Sequence, residues 1–79
     1  MDKAALEQQI LGFFATTFEE DVSTLSRDTS IRDELSPKSM LMVSLVALIE
    51  NELDVMISLP EASQMKTIGD MIDKVEELL

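Results

Sequence analysis

One apolar segment constrains the fold of this chain more than any other feature of its sequence. Residues 40–49 are all apolar except Ser44. The segment is about half of the roughly 20 residues that cross a bilayer, so it is a core or contact element and not a membrane span. Ser36 and Pro37 precede it, and a Ser cap followed by Pro is a typical helix start. We predict a helix over residues 37–53, apolar almost all round in its first three turns and therefore central to the fold, a contact surface, or both.

The flanking sequence predicts three more helices. Residues 3–18 repeat apolar side chains at the three-and-four spacing of one helical face, with Asp2 as the N-cap. A Pro in the first turn suits a short helix over about residues 60–64. From Thr67 the chain has the pattern of a capped amphipathic helix that runs to the C-terminus, because Asp70 stands three residues after the cap.

Residues 19–36 form a long polar connection between the first two predicted helices. A connection of this length is usually functional. We expect four isolated apolar residues to attach it to the core: Val22, Leu25, Ile31 and Leu35. Gly and Pro are rare and scattered, and neither a linker nor a repeat is visible. We therefore predict a single domain over residues 1–79.

The composition excludes most catalytic chemistry. The chain has 79 residues and no Cys and no His. It therefore lacks a thiolate nucleophile, a disulfide, the commonest acid–base group and the usual zinc ligands. A small enzyme built on paired carboxylates is excluded by the size of the chain, which leaves no second layer to form a cleft.

The charge of the chain restricts its partners. Six Lys and Arg stand against 16 Asp and Glu, for a formal net charge of −10. This charge repels nucleic acid and anionic lipid, so we expect no nucleic-acid partner, no membrane insertion, and partners with basic patches. The first residues do not show the pattern of a secretory signal, and we expect a cytoplasmic protein.

Ser39 is the hydroxyl with the most suggestive position. It lies in the first turn of the apolar helix, where unpaired amides and the positive end of the helix dipole stabilise an attached phosphate. Two interpretations follow from position alone. Ser39 is either a phosphate acceptor or a residue that caps or solvates the helix start.

Three stretches follow one another in the order of a known family. They are Ser30-Ile31-Arg32-Asp33-Glu34-Leu35, Lys38-Ser39-Met40 and Glu50-Asn51-Glu52-Leu53-Asp54. They resemble the first loop, the Asp-Ser-Leu attachment motif and the second-helix Glu-x-Glu-aromatic-Asp pattern of the acyl carrier proteins. The spacing between the stretches matches that of the family without insertions or deletions. The resemblance covers almost the whole chain.

The resemblance implies an acyl-carrier-like four-helix bundle with three major helices, one short helix and a long first loop. It also implies a carrier without enzymatic activity. Its Ser39 hydroxyl is joined through a phosphodiester to 4′-phosphopantetheine from coenzyme A, with Lys38 and Met40 flanking the attachment. The thiol of that arm holds acyl groups as thioesters, in a specialised lipid, fatty-acid or polyketide pathway.

The resemblance implies partners as well: a phosphopantetheinyl transferase, and enzymes that load and transfer acyl groups. The family places acids before the attachment Ser and along the exposed face of its second helix, where this chain has Lys38, Leu41 and Ser44. We therefore expect partners with apolar or basic docking patches, and a monomeric carrier. The predicted contact residues are Leu41, Met42, Ser44, Leu45, Glu50 and Glu52.

Three alternatives stay open. Leu41, Met42 and Leu48 either form a contact face or complete the core. The internal methionines either fill the core or line a cavity for acyl chains. Finally, the chain is either a modified carrier or an unmodified interaction module, in which the apolar helix holds a partner helix or a second copy.

The helical spacing and the carrier bundle together predict the core. Burial of each large side chain is worth about 1.5–3 kcal/mol, so an Asp at Val43 or Ile72 is expected to unfold the domain. We expect Ser39→Ala to leave it folded. The predicted core residues are Phe14, Phe18, Ile31, Leu35, Val43, Val46, Ile57, Ile68, Ile72 and Val75.

Overall fold

The computed structural model describes residues 2–35 and 39–79, and these residues are mainly helical. The elements are α1 Lys3–Phe18, a 3₁₀ turn Val22–Thr24, α2 Ile31–Glu34, α3 Ser39–Leu53, α4 Leu59–Ser63 and α5 Ile68–Leu78. The predicted all-α class is confirmed, and the described residues contain no strand beyond an isolated bridge between Ser30 and Thr67. No described helix has both the length and the apolar character needed to cross a membrane.

Helix α1 has the predicted bounds and buries one face. The buried side chains are Leu6, Ile10, Leu11, Phe14 and Phe18. Asp2 occupies the N-cap position, as predicted, although its side chain makes no capping hydrogen bond. The helix ends at Glu19, whose backbone is left-handed with φ 56° and donates its N–H to the carbonyl of Ala15.

The long connection contains structure that the sequence analysis missed. Ser30 caps the one-turn helix α2, because its hydroxyl accepts the N–H of Asp33 at 3.2 Å, while Glu34 accepts the N–H of Ser30 at 2.6 Å. Of the predicted attachment residues, Ile31 and Leu35 are buried and Leu25 is partly buried. Val22 is 44% exposed, so its predicted attachment is wrong. It belongs to a 3₁₀ turn held locally by the side chain of Asp21.

Backbone hydrogen bonds join this connection to the start of α5. The N–H of Ile68 donates to the carbonyl of Thr29 at 3.1 Å, and the N–H of Gly69 donates to the carbonyl of Arg27 at 2.8 Å. The first amides of a helix have no partner within the helix, so these two bonds satisfy donors that would otherwise need water. The connection is therefore part of the helical framework.

The predicted cap of α5 is confirmed. The hydroxyl of Thr67 accepts the N–H of Asp70, and the carboxylate of Asp70 accepts the N–H of Thr67, which is a complete capping box. The same carboxylate also accepts the N–H of Lys66 at 2.9 Å. These backbone donors lower the pKa of Asp70 below its ordinary value. The cap at Ser58 and Pro60 starts α4 in the same region of sequence as predicted.

Helices α1, α3 and α5 contribute most of the hydrophobic core. Nine of the ten predicted core residues are buried, and Val43 is the exception at 51% exposed. The buried stripe of α3 consists of Met42, Leu45, Val46, Ile49 and Leu53. Val43 follows Met42 by one residue, about 100° round a helix of 3.6 residues per turn, and so lies outside that stripe. The placement of Val43 in the core is therefore wrong, and the reason to expect that an Asp at this position unfolds the domain no longer holds.

Candidate functional site

Ser39 is the first residue of α3, so the predicted attachment residue lies in the first turn of a 15-residue helix. The first backbone amides of a helix have no partner within the helix, and together with the positive end of the helix dipole they favour a bound phosphate at such a position. Lys38, together with the Ser36-Pro37 start motif, lies outside the described residues. The helix itself runs to Leu53, the C-terminal residue predicted from sequence.

Helix α3 presents a largely apolar surface to solvent. Met40 is 82% exposed and Val43 51% exposed, and Ser44, Ala47 and Asn51 are exposed as well. These five residues recur at spacings of three and four, which places them on one side of the helix. We call them the outer face of α3. Because none of them is ionisable, attraction between charges cannot position a partner directly on this face.

The residues predicted to contact partners divide into two groups. Met42 is 6% exposed and Leu45 is 0% exposed, so both belong to the core and the docking prediction is corrected at these positions. Leu41 is partly buried and packs against the core. Ser44 and Glu52 are exposed and accessible to a partner. Burial decides the earlier alternative for Met42 in favour of the core, whereas the partly buried Leu41 contributes to both the core and the surface.

Glu50 has a structural contact that its sequence pattern did not indicate. Its carboxylate accepts the N–H of Ile57 at 3.2 Å and links the end of α3 to the segment before α4. Asp54 follows with a left-handed backbone, φ 55°, at the point where the chain leaves the helix. Of the two Glu predicted to contact partners, Glu52 is the more exposed.

A cavity of about 640 Å³ opens between α2, α3 and α4. Its apolar lining comes from Ile31, Met42, Leu59, Ala62 and Met65. Met42 lies one turn beyond Ser39, about 4.5 Å further along the helix axis at 1.5 Å per residue. The rest of the cavity lining is polar or charged: Ser30, Arg32, Asp33, Ser63, Gln64 and Lys66. A flexible chain attached near the helix start therefore has a partly apolar cavity within reach.

The methionines occupy different environments. Met42 and Met65 line the cavity, and Met71 is fully buried in the core. Met40 and Met56 are each 82% exposed. Neither sequence interpretation covers all of them, because core filling explains Met71, a cavity lining suits Met42 and Met65, and the two exposed side chains fit neither.

The acidic residues do not converge on a metal site in the described part of the chain. No group of three or more acidic side chains there could hold an ion. Two of the oxygen-bearing residues near the end of the connection, Ser30 and Glu34, instead hydrogen-bond the start of α2. The closeness of Ser30 and Glu34 in the sequence is explained by their role in capping α2.

Comparison with known proteins finds acyl carrier proteins among the relatives of this chain, although no family model matches it. The acyl carrier protein of Porphyromonas gingivalis is 27% identical over 74 residues, which cover 94% of this chain and 95% of the relative. That of Rickettsia canadensis is 29% identical, covering 91% and 84%. That of Syntrophobacter fumaroxidans is 29% identical, covering 92% and 90%.

These relatives, together with the helical fold, show that the chain is similar to acyl carrier proteins over nearly its full length and diverges from them in sequence. Acyl carrier proteins are carriers and not enzymes, and members of the family hold a covalently attached 4′-phosphopantetheine. The divergence is visible in the site, where an uncharged outer face follows Ser39.

Proposed function

We propose that this protein carries acyl groups as thioesters on a 4′-phosphopantetheine arm attached to Ser39. The observation that carries the proposal is the position of Ser39 as the first residue of α3, in a chain related over nearly its full length to acyl carrier proteins. The pathway we propose is a specialised lipid, fatty-acid or polyketide pathway in the cytoplasm.

The residues of this chain fit such an arm. The start of α3 offers backbone amides to an anionic phosphodiester, and the cavity of about 640 Å³ lies next to the same helix. Loading would form a bond from the Ser39 oxygen to phosphorus and break the diphosphate bond of coenzyme A. The adenosine 3′,5′-bisphosphate portion would leave, and the serine proton would pass to the transferase or to solvent. The arm supplies a thiol, which this Cys-free chain cannot provide.

We propose that partner enzymes dock on the outer face of α3, with Leu41 at its edge and Glu50 and Glu52 at its far end. A net charge of −10 attracts basic enzymes over a distance, while the uncharged face requires an apolar patch at the contact itself. The same charge repels a second copy of this chain, which supports a monomeric carrier.

The test is mass spectrometry of the intact protein after incubation with coenzyme A and a set of phosphopantetheinyl transferases. We expect the wild type to gain the mass of one phosphopantetheine group. Ser39→Ala should keep the helical circular dichroism and gain nothing. Ser44→Ala, which changes another Ser of the same helix, should be modified like the wild type.

Failure of the wild type to gain mass with every transferase would refute the proposal, as would modification of Ser39→Ala. The second candidate function is an unmodified interaction module, which the exposure of Met40 and Val43 favours because such side chains suit a partner helix. It predicts concentration-dependent association that survives Ser39→Ala, together with an unmodified mass in protein isolated from its host.

A further inference from the structure

Met40 combines high exposure with direct attachment to Ser39 in the chain. Its side chain is 82% exposed, and Val43 and Ala47 follow it along the outer face of α3. Met56, in the segment between α3 and α4, is also 82% exposed. Met42 and Met71 are 6% and 0% exposed, so the protein shields these two thioethers from solutes.

We propose that Met40 is an oxidation site and that its sulfoxide hinders the loading of Ser39, an inference that rests on the proposed function. The oxidant is a hydroperoxide. An S–O bond forms at Met40 Sδ as the O–O bond of the peroxide breaks. The sulfur is oxidised, and the peroxide is reduced to water or to an alcohol.

Sequence distance alone places Met40 inside the contact of any enzyme that modifies Ser39. Consecutive Cα atoms are about 3.8 Å apart, so an active site that brings phosphorus to the Ser39 oxygen also covers the neighbouring residue. The outer face beyond Met40 holds no charged residue, and its exposed Val43 and Ala47 add apolar surface beside Met40. A sulfoxide puts a polar oxygen into that contact, and burial of a polar group without a partner is unfavourable.

The experiment compares loading before and after oxidation. Unmodified protein is treated with hydrogen peroxide, sulfoxides are located by peptide mass mapping, and the loading rate is then followed with coenzyme A and a transferase. Met40→Leu and Met56→Leu are matched variants, since both replace an equally exposed methionine by a side chain of similar volume. Circular dichroism of each oxidised sample verifies that the helices persist.

We expect Met40 and Met56 to oxidise before Met42 and Met71. Peroxide should lower the loading rate several-fold in the wild type and in Met56→Leu, and leave Met40→Leu unchanged. Treatment with both methionine sulfoxide reductases should restore the rate, because each enzyme reduces one sulfoxide epimer.

Equal loss of rate in Met40→Leu and the wild type would overturn the inference, and so would oxidation of the buried methionines ahead of Met40. Undiminished loading of a protein oxidised at Met40 would overturn it as well, while leaving the proposed function intact. Absence of loading before any peroxide is added would instead refute the proposed function, and the inference with it.

Discussion

Gly69 shows how one residue can hold a loop against a helix. Its N–H donates to the carbonyl of Arg27 at 2.8 Å, and a Cβ built at Gly69 would lie 2.8 Å from that same oxygen and 3.1 Å from the Arg27 Cβ. The clash is with backbone, which cannot move away without losing the hydrogen bond. The helix therefore begins at a position where only a residue without a side chain fits.

We predict that Gly69→Ala destabilises the protein by about 1–3 kcal/mol, the usual cost of overpacking a close contact. Gly12→Ala is the matched control, because Gly12 lies within α1 and a Cβ there meets nothing within 4 Å. Ala is the better helix former by roughly 0.5–1 kcal/mol, so this control should be stabilised. Urea unfolding measures the free energy of unfolding of both variants. Equal effects of the two substitutions would show that the close contact with Arg27 does not contribute to stability.

At the scale of the elements, the choice of which side of a helix is buried determines how that helix packs. Helix α3 shows how this choice is made. Its sequence is apolar almost all round over residues 40–49, so the hydrophobic pattern alone does not reveal which side faces the core. Packing of α3 against the other helices, α1 and α4 among them, settles the question: Val46 is buried and Val43 is exposed. The outer face of α3 is the side of the helix that this packing leaves exposed to solvent.

We predict that Val46→Asp unfolds the protein, because it removes about 1.5–3 kcal/mol of apolar burial and places a carboxylate in the core without a partner. Val43→Asp should change stability by no more than about 0.5 kcal/mol, as exposed substitutions usually do. Circular dichroism during urea unfolding distinguishes the two. Loss of the fold in Val43→Asp would mean that this side of α3 is covered by protein.

For the molecule as a whole, acid has two opposing effects. A net charge of −10 means that protonation of carboxylates relieves repulsion, which favours the folded state as pH falls. Asp70 acts in the other direction. The N–H groups of Lys66 and Thr67 lower its pKa in the folded protein, so its contribution to stability is complete above the unfolded pKa and disappears as pH falls through the folded pKa.

We predict that Asp70→Asn lowers the free energy of unfolding at neutral pH by about 0.3–1 kcal/mol, the usual value of a charge at an exposed helix start. The difference from the wild type should shrink as pH falls below about 4, the ordinary Asp pKa. Asp28→Asn removes one charge from an exposed turn and serves as the control. A deficit in Asp70→Asn that stays constant from neutral to strongly acidic pH would contradict the assigned role of the carboxylate.

Most of the helices could be predicted from local sequence patterns. The amphipathic spacing of α1, the cap formed by Thr67 and Asp70, and the Pro of α4 are interactions among residues close in sequence, so the sequence predicts them. Helix α2 was missed because a single turn has almost no periodicity. Its Ser30 cap and the acid at Glu34 were the available signals.

By itself, the sequence determined the helical class, the approximate extent of the long helices, the acidic charge and the position of Ser39 at the start of an apolar helix. These follow from local hydrogen bonding, helical periodicity and composition. Only the tertiary structure decided that Met42 and Leu45 lie inside while Met40 and Val43 lie outside, and that the first connection is hydrogen-bonded to α5. Those outcomes depend on contacts between residues distant in sequence, which a helix apolar on every side cannot specify alone.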